Sequence, residues 1–445
     1  MGNSKRIAVA AGVDVGSSNT KVVILDSDGA VVARVIRPTP RDGLLIDALA
    51  LFLAIEEMIA TACGGLFEVH AICSAGIGED GVLVDGNLRP LTRGLAWFDP
   101  RRHSVFDELR PHLEDGEPFD ASSDAGRTFV GWAWARDQPG ASSAVAWVAI
   151  TDLVSVHWTG RPFLSETLAS RTSAWRTSRR AWDESRVQLA LGSLGLLPPV
   201  MATGEVVGAI DSPRLRELGV VAADAVAVVG GHDHPIAGWG VDRMSPGVVL
   251  DSMGTAEVVV AQSRSQPGER VRDIDIAPGI RSGGTTLLRV EELARNVQWA
   301  SRDAEVAGHI RSMLDGSVAA LPVLDSKYFI PGRRGGGTPG YAPDTPADPR
   351  VRASAVLGAL AHAGRDAVNA VRAAGADMGE VCFAGGWARS SGWLEIKTAV
   401  NGYRAAPILE PQVTAVGAAL LAAEARGWRP DPVRAFAGFA APLLS

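Results

Sequence analysis

From Ile7 to Asp14 the chain is apolar and strand-prone, the small polar run Gly16-Ser17-Ser18-Asn19 interrupts it, and Thr20 to Asp26 takes the pattern up again. The turn signal Asp26-Ser27-Asp28-Gly29 follows. This predicts strand, tight loop, strand, turn, strand. A dinucleotide fingerprint or a P-loop would send its glycine loop into a helix, so neither is present at this point. Residues 44–62 carry helical spacing, and 68–73 and 82–85 read as short strands. The stretch AVAVVGGHDH at 225–234 reads as a buried strand delivering a glycine turn and a loop. Composition then shifts to Gly, Pro and Asp between Gly238 and Gly247. After the shift, GVVLDSMGTAEVVVA at 247–261 repeats strand, small-residue loop, strand, with Asp251 before the loop as Asp14 stands before the first. Ala-rich helical patterns at 351–375 and 413–426 bracket VCFAGGW, a strand ending in glycines, and a Pro/Gly-rich loop fills 331–349. The repetition predicts two diverged copies of one architecture, residues 1–243 and 244–445.

Composition narrows the function classes. The 445 residues have room for two or three domains, and 47% hydrophobic with 21% charged residues is ordinary for a soluble globular protein. Forty-three basic and fifty acidic side chains give a net charge of −7 with no Lys/Arg block, which argues against nucleic acid as a partner. The longest apolar runs, Ala144–Ile150 and Ala415–Ala423, fall short of the ~18–20 residues that cross a bilayer. The start MGNSKRIAVAAGVDVG runs straight into a strand instead of forming a signal peptide. Cys63, Cys73 and Cys382 are scattered without metal-ligand spacing and read as reduced thiols. The expectation is a cytoplasmic protein that does not contact membrane.

Five places could carry chemistry. Asp14-Val15-Gly16-Ser17-Ser18-Asn19-Thr20-Lys21 sets a carboxylate at a strand end, a loop of N–H groups and hydroxyls, and one of only four lysines. Such a loop can cradle phosphate oxygens, with Lys21 as a point charge and Asp14 holding Mg²⁺ through water; a polar hairpin is the bland alternative. At Gly230-Gly231-His232-Asp233-His234 an aspartate at a strand end can accept a hydroxyl proton, or simply cap a surface turn. The two histidines would face opposite sides if extended, so a closed zinc site is a weak reading. Gly254-Thr255 and Gly385-Gly386 let backbone approach a flat or anionic ligand closely. Trp97 and Asp99 in LAWFDPRR could stack on and hydrogen-bond a sugar, although an aromatic in an apolar segment is more often core. Most other tryptophans read as packing residues.

In order along the chain, GVDVGSSNTK, LVDGNLRPLTRGLAWFDPRR, TGRPFLSETLASRTSAW, LPPVMATGEVVG, VVGGHDH, LDSMGTAE and FAGGWARSSGWLEIKTAVNGYRAAPILEPQVTAVGAALLAAEARG resemble the FGGY carbohydrate kinase family. Its members include xylulose and glycerol kinases and belong to the actin-like ATPase superfamily. The resemblance implies an α/β fold of two actin-like (ribonuclease H-like) domains, each a mixed sheet flanked by helices, with an interdomain cleft. It implies ATP and Mg²⁺ as cofactors and a small sugar or polyol as the partner, and it leaves a homodimer open. It makes Asp233 the catalytic base, a metal ligand beside Asp14 and a contact of the substrate hydroxyl. Gly16, Ser17, Ser18, Asn19, Thr20 and Lys21 become the phosphate loop, and Gly254 and Thr255 a second one. Gly385, Gly386 and Ser390 fall where the family holds adenosine. Glu79 and Asp80, with Trp97, Asp99 and Arg101, fall on the substrate side. The expected reaction is phosphorylation of a hydroxyl of a ketose such as a pentulose, or of a polyol. Arg101 and Arg102 leave a sugar acid open. The alternatives are a catalytically silent sugar- or nucleotide-sensing relative and an ATPase coupled to a protein partner.

Overall fold

The structure is a computed structural model that describes residues 6–113, 119, 121–265, 271, 273–281, 283–333, 337–376 and 379–439. The first hairpin forms as its pattern predicts: Ile7–Val15 and Asn19–Asp26 are antiparallel strands, with Asp14 opposite Lys21 and Val15 opposite Thr20. Gly16 N–H donates to Asn19 O at 3.2 Å and closes the loop. Val31–Pro38 adds a third antiparallel strand. On its other side Ile7–Val15 runs parallel to Phe67–Gly76, which runs parallel to Val221–His232, and Val206–Ala209 completes a six-stranded mixed sheet. The register sets Val15 beside Gly76 and Gly76 beside His232, so three parallel strands end level with one another. That is where an α/β sheet presents ligand-binding side chains.

The helix expected from residue 44 begins at Ala48 and runs to Cys63. Asp47 caps it, accepting from Ala50 N–H at 3.0 Å, so the turn cannot start earlier. Leu45–Ile46 instead pairs with Arg41–Asp42 and Gly94–Leu95. Leu51, Ile55, Met58 and Ile59, spaced along one helix face, are fully buried in one core with Val9, Val13, Val22 and Ile24 of the sheet.

Gly230-Gly231 was expected to be a turn. The structure keeps both glycines inside the strand Val221–His232, and the helix Asp233–Met244 follows without a loop. Gly231 has φ +145°, and a Cβ on Gly230 would lie 1.8 Å from Ser74 O, so close packing rather than reversal of direction requires these glycines.

Two compact units emerge. Met1–Met244, Ile276–Thr285 and Gln412–Ser445 form the first, and Ser245–Asp275 with Thr286–Pro411 the second. Residues from 412 onward, which the linear division gave to the second half, pack with the first unit. The physical reason is the helix Val413–Ala425, which is apolar on nearly every face. A Cβ on Gly12 would lie 1.9 Å from Ala415 O, and one on Gly417 2.6 Å from Ile236 O, so the helix is buried between the Ile7–Val15 strand and the Asp233–Met244 helix.

The second unit repeats the strand, loop, strand pattern: Val249–Met253 and Ala256–Ser263 are antiparallel, with Met253 opposite Glu257. Val381–Ala384 joins Val249–Met253 in parallel, and Ala406–Pro407 follows it. The helices Pro349–Ala373 and Ser391–Asn401 begin on the side-chain caps Asp348 and Ser390. Among the described residues no helix is long and apolar enough to cross a membrane.

Candidate active site

The loop after the first strand is braced from three directions. Lys21 Nζ donates to Asp14 Oδ2 at 2.7 Å, a pairing that follows from their cross-strand register. Thr39 Oγ1 donates to Gly16 O at 2.7 Å and lies 3.0 Å from Thr20 Oγ1, while Thr39 N–H donates to Ser18 O at 3.0 Å. Arg41 donates to Ser17 O, and Trp97 Nε1 donates to Ser17 Oγ at 2.8 Å. Burial works to lower the Lys21 pKa, but the charge and hydrogen bond of Asp14 and the charge of Asp233 outweigh it, so Lys21 is held firmly protonated.

Asp233 opens the helix Asp233–Met244, where the N-terminal end of the macrodipole favours an anion. Its Oδ1 accepts from His234 N–H at 2.7 Å and lies 3.2 Å from His232 Nε2 and 3.7 Å from His234 Nε2. The two imidazoles therefore converge on one carboxylate oxygen. They do not splay apart as an extended strand would have them, because the chain changes from strand to helix between His232 and Asp233. Desolvation raises the Asp233 pKa above the ordinary aspartate value; His234 opposes the rise, and Asp14 and Glu79 add to it. The same neighbour effects place Asp14, Lys21, Glu79 and Asp233 in one electrostatic group.

Among the residues expected to face substrate, the structure separates some that adjoin in sequence. Glu79 Oε1 receives Arg171 Nε at 2.8 Å and Arg171 Nη2 at 2.5 Å. Asp80 is fully buried and receives Arg102 Nη2 at 3.2 Å. Desolvation pushes its pKa up to about 7, with Arg102 opposing. Asp80 thus holds Arg102, whose other donors go to Ala96 O, Arg127 O and Leu95 O. A guanidinium so engaged is not free for a sugar carboxylate. Asp99 is 2% exposed and takes Arg101 Nε at 3.0 Å and Nη2 at 2.6 Å. Trp97 is 38% exposed, edge-on to Phe98, whereas Trp132, Trp147, Trp158 and Trp393 are buried as packing residues.

In the second unit Gly385 has φ +87°, and a Cβ there would lie 2.3 Å from Met253 O, which sets this glycine turn against the strand that leads into Gly254 and Thr255. Gly254 and Thr255 are exposed; Gly254 N–H donates to Ala256 O at 2.9 Å, and Thr255 O accepts from Ala294 N–H at 2.9 Å. Nothing lies within 4 Å of where a Gly386 Cβ would sit. The Ser390 hydroxyl is already engaged, accepting from Trp393 N–H of the helix it caps at 3.1 Å and donating to Leu314 O at the end of the helix Ala304–Leu314.

Sequence reasoning missed Thr39, Arg41 and Arg171. The first two lie about twenty residues from the loop they brace, with no motif around them. Arg171 stands inside the ASRTSAW string, and no residue near it in sequence points to Glu79.

A mixed sheet with helices on its faces, three parallel strands ending level with acids close by, and a strand-loop-strand motif in each unit define the class: an actin-like ATPase fold of two α/β units. Residues 9–240 match the N-terminal domain of the FGGY family of carbohydrate kinases, and the chain belongs to that family. It is an ATP-dependent carbohydrate kinase. A xylulose kinase of Streptomyces rubiginosus is 27% identical, over 93% of this chain and 87% of its own length. Among solved structures, a xylulose kinase and a gluconate kinase from Lactobacillus acidophilus superpose with TM-scores of 0.80 and 0.81, both at 17% identity and covering 96% of this chain and 91% of theirs.

Proposed function

We propose that the protein transfers the γ-phosphoryl group of Mg²⁺-ATP to a hydroxyl of a small neutral sugar, a ketose such as a pentulose, or a polyol, with Asp233 as the general base. The observation that carries this reading is the strand-end group: Asp233 at a helix start with a raised pKa, sharing its field with the Lys21–Asp14 pair. Phosphoryl transfer asks a protein for position and charge more than for covalent work. Asp233 orients the acceptor hydroxyl and takes its proton as the new O–P bond forms. Lys21 and the N–H groups and hydroxyls of Gly16 to Thr20 hold phosphate oxygens, and the Thr39, Arg41 and Trp97 bonds keep that loop from relaxing.

Asp14 and Asp233 fit Mg²⁺, which prefers one or two carboxylates with water and phosphate oxygens over an all-protein cage. When bound, the ion offsets charge on the phosphates. In the second unit, Gly254, Thr255, Gly385 and Gly386 would take the nucleotide, and Ser390 would serve it by fixing the helix behind.

A neutral acceptor is favoured because Glu79 and Arg171 balance each other's charge and Arg102 is spent on Asp80. A pentulose is favoured by the xylulose kinase that aligns along nearly the whole chain. The fold does not choose, since a gluconate kinase shares it equally.

The test is ADP release from Mg²⁺-ATP over ketoses, alditols and sugar acids, beside Asp233→Asn. One ketose or polyol should raise ADP release, and the substitution should lower kcat about 10²–10⁴-fold with ATP affinity nearly unchanged. Full turnover in Asp233→Asn would remove Asp233 from the role of base.

A further inference from the structure

We infer that Ser165, Thr167 and Thr203 form a hydroxyl clamp that fixes the main chain at Gly230–His232 and so positions Asp233; the catalytic part of this inference rests on Asp233 acting as the base. Past Val229 the outer edge of the Val221–His232 strand loses its partner, because backbone pairing stops at the bonds between Val229 and Gly204 and Glu205. The parallel register with Phe67–Gly76 also shifts between Val228 and Gly231. An irregular strand end of this kind re-aims the residue that follows and leaves main-chain groups in need of partners.

Hydroxyls supply them. Ser165 Oγ donates to Gly230 O at 2.7 Å, and Thr203 Oγ1 donates to the same oxygen at 2.9 Å. His232 N–H donates to Thr167 Oγ1 at 3.0 Å. Thr167 Oγ1 and Ser165 Oγ are 3.1 Å apart. Since the Ser165 proton is spent on a carbonyl that can only accept, Thr167 is the donor between them. The protons therefore run one way, from His232 N–H through Thr167 and Ser165 to Gly230 O. Ser165 is seated in turn by Asp152, whose Oδ2 accepts from Ser165 N–H at 2.8 Å.

All three hydroxyl residues are buried. They reach the strand end only because residue 231 has no side chain: a Cβ there would lie 2.0 Å from Thr167 Oγ1 and 2.3 Å from Ser165 Oγ. None of the three touches Asp233 in any hydrogen bond described, so they are positioning residues and not catalytic ones.

The experiment compares wild type, Thr167→Val and Thr167→Ser in the full chain, reading sugar-dependent ADP release and amide exchange at His232. Thr167→Val should lower kcat about tenfold or more while both KM values stay within about twofold, since misplacing a base by a fraction of an ångström weakens chemistry and not binding. His232 exchange should quicken about tenfold or more, with the other amides of the sheet unchanged. Thr167→Ser restores the hydroxyl and should return both readouts to within about threefold of wild type. Wild-type kcat and His232 exchange in Thr167→Val would overturn the clamp, and so would a loss accompanied by faster exchange across the whole sheet. If wild type turns over no ketose or polyol, the reading of Asp233 as base falls by itself, and His232 exchange alone decides whether the clamp exists.

Discussion

Each unit holds an acid on the strand before a small-residue loop and a lysine that meets it, yet the two lysines live in opposite environments. Lys21 stands across the hairpin from Asp14, with its side chain 26% exposed, one ion pair and the field of Asp233. Lys397 comes from the helix Ser391–Asn401 and is wholly buried between Asp251 Oδ2 at 2.8 Å and Glu257 Oε1. The faces of Phe383 and Trp393 lie 5.5 and 5.9 Å from its Nζ. Gly364 allows the approach, because a Cβ there would lie 1.9 Å from Glu257 Oε1. One lysine is kept where a ligand can use its charge, and the other has its charge consumed by packing. A recurring strand, loop, strand pattern therefore says where charges gather, while burial decides whether they serve chemistry or architecture.

The comparison breaks most readily at Lys397. Lys397→Met would leave the Asp251 carboxylate, with the Glu257 carboxyl beside it, buried without a cation, and stability should fall by about 3–5 kcal/mol, read from the midpoint of urea unfolding. Adding Asp251→Asn and Glu257→Gln to that variant should recover most of the loss, because the stranded charges go with it. A Lys397→Met protein as stable as wild type would show that the buried triad contributes nothing.

Lys21→Met should give the converse. If Lys21 acts on the phosphates as proposed, its removal should lower kcat about 10²–10³-fold. Its unfolding midpoint should move by less than half the Lys397→Met shift, because the side chain keeps contact with water. Equal losses of stability in the two variants would erase the distinction between the lysines.

The buried triad also carries a pH signature. Burial pushes Glu257 up to about 8, helped by Asp251 and opposed by Lys397, so its proton leaves a single ion pair between Lys397 and Asp251. A group that holds its proton in the folded state when the unfolded chain has released it stabilises fully below the ordinary glutamate range, and that contribution is lost as pH rises through about 8. Glu257→Gln mimics the protonated form. The variant should gain on wild type as pH rises from 5 to 8, by up to about 1.4 kcal/mol per pH unit. Asp80 and Asp152, both pushed up to about 7 by burial, give the first unit a slope of the same sign that this substitution leaves in place. A constant difference between Glu257→Gln and wild type across that range would place the Glu257 proton elsewhere.

These residues also mark how far the sequence could be read. The first hairpin was legible because apolar strands around a polar loop form by local rules, and Asp14 and Lys21 came with it through register alone. Asp233 was legible as an acid after an apolar strand, but the two glycines before it were read as a turn. Their need for space is set by Ser165, Thr167 and Ser74, which lie far away in sequence. The helix Val413–Ala425 was visible as a helix, while its place in the first unit depends on Gly12 meeting Ala415, a close approach that no local pattern records. Lys397 reads as a helix residue like any other, since its two acids come from the strands around Gly254-Thr255. Local patterns specified elements and strand-end acids; long-range packing assigned the partners that separate a working charge from a buried one.

The smallest effect belongs to Trp97, which joins the exposed aromatic edge of the first unit to the loop proposed to hold phosphate. Read as a sugar-stacking residue, Trp97 would matter through its ring; the 2.8 Å bond from Nε1 to Ser17 Oγ gives it a second task, holding the loop. Trp97→Phe keeps an aromatic ring and removes the donor. If loop holding dominates, the variant should lose about 0.5–1.5 kcal/mol in ATP binding, a rise in the ATP KM of about two- to tenfold, with the sugar KM unchanged. If stacking dominates, Trp97→Phe should leave the ATP KM alone, and only Trp97→Ala should raise the sugar KM. Ser17→Ala removes the other partner of the bond, and its effect on the ATP KM should not add to that of Trp97→Phe if the two act through one contact. Additive effects would mean that Trp97 and Ser17 act on ATP binding separately, and the bond between them would then carry none of it.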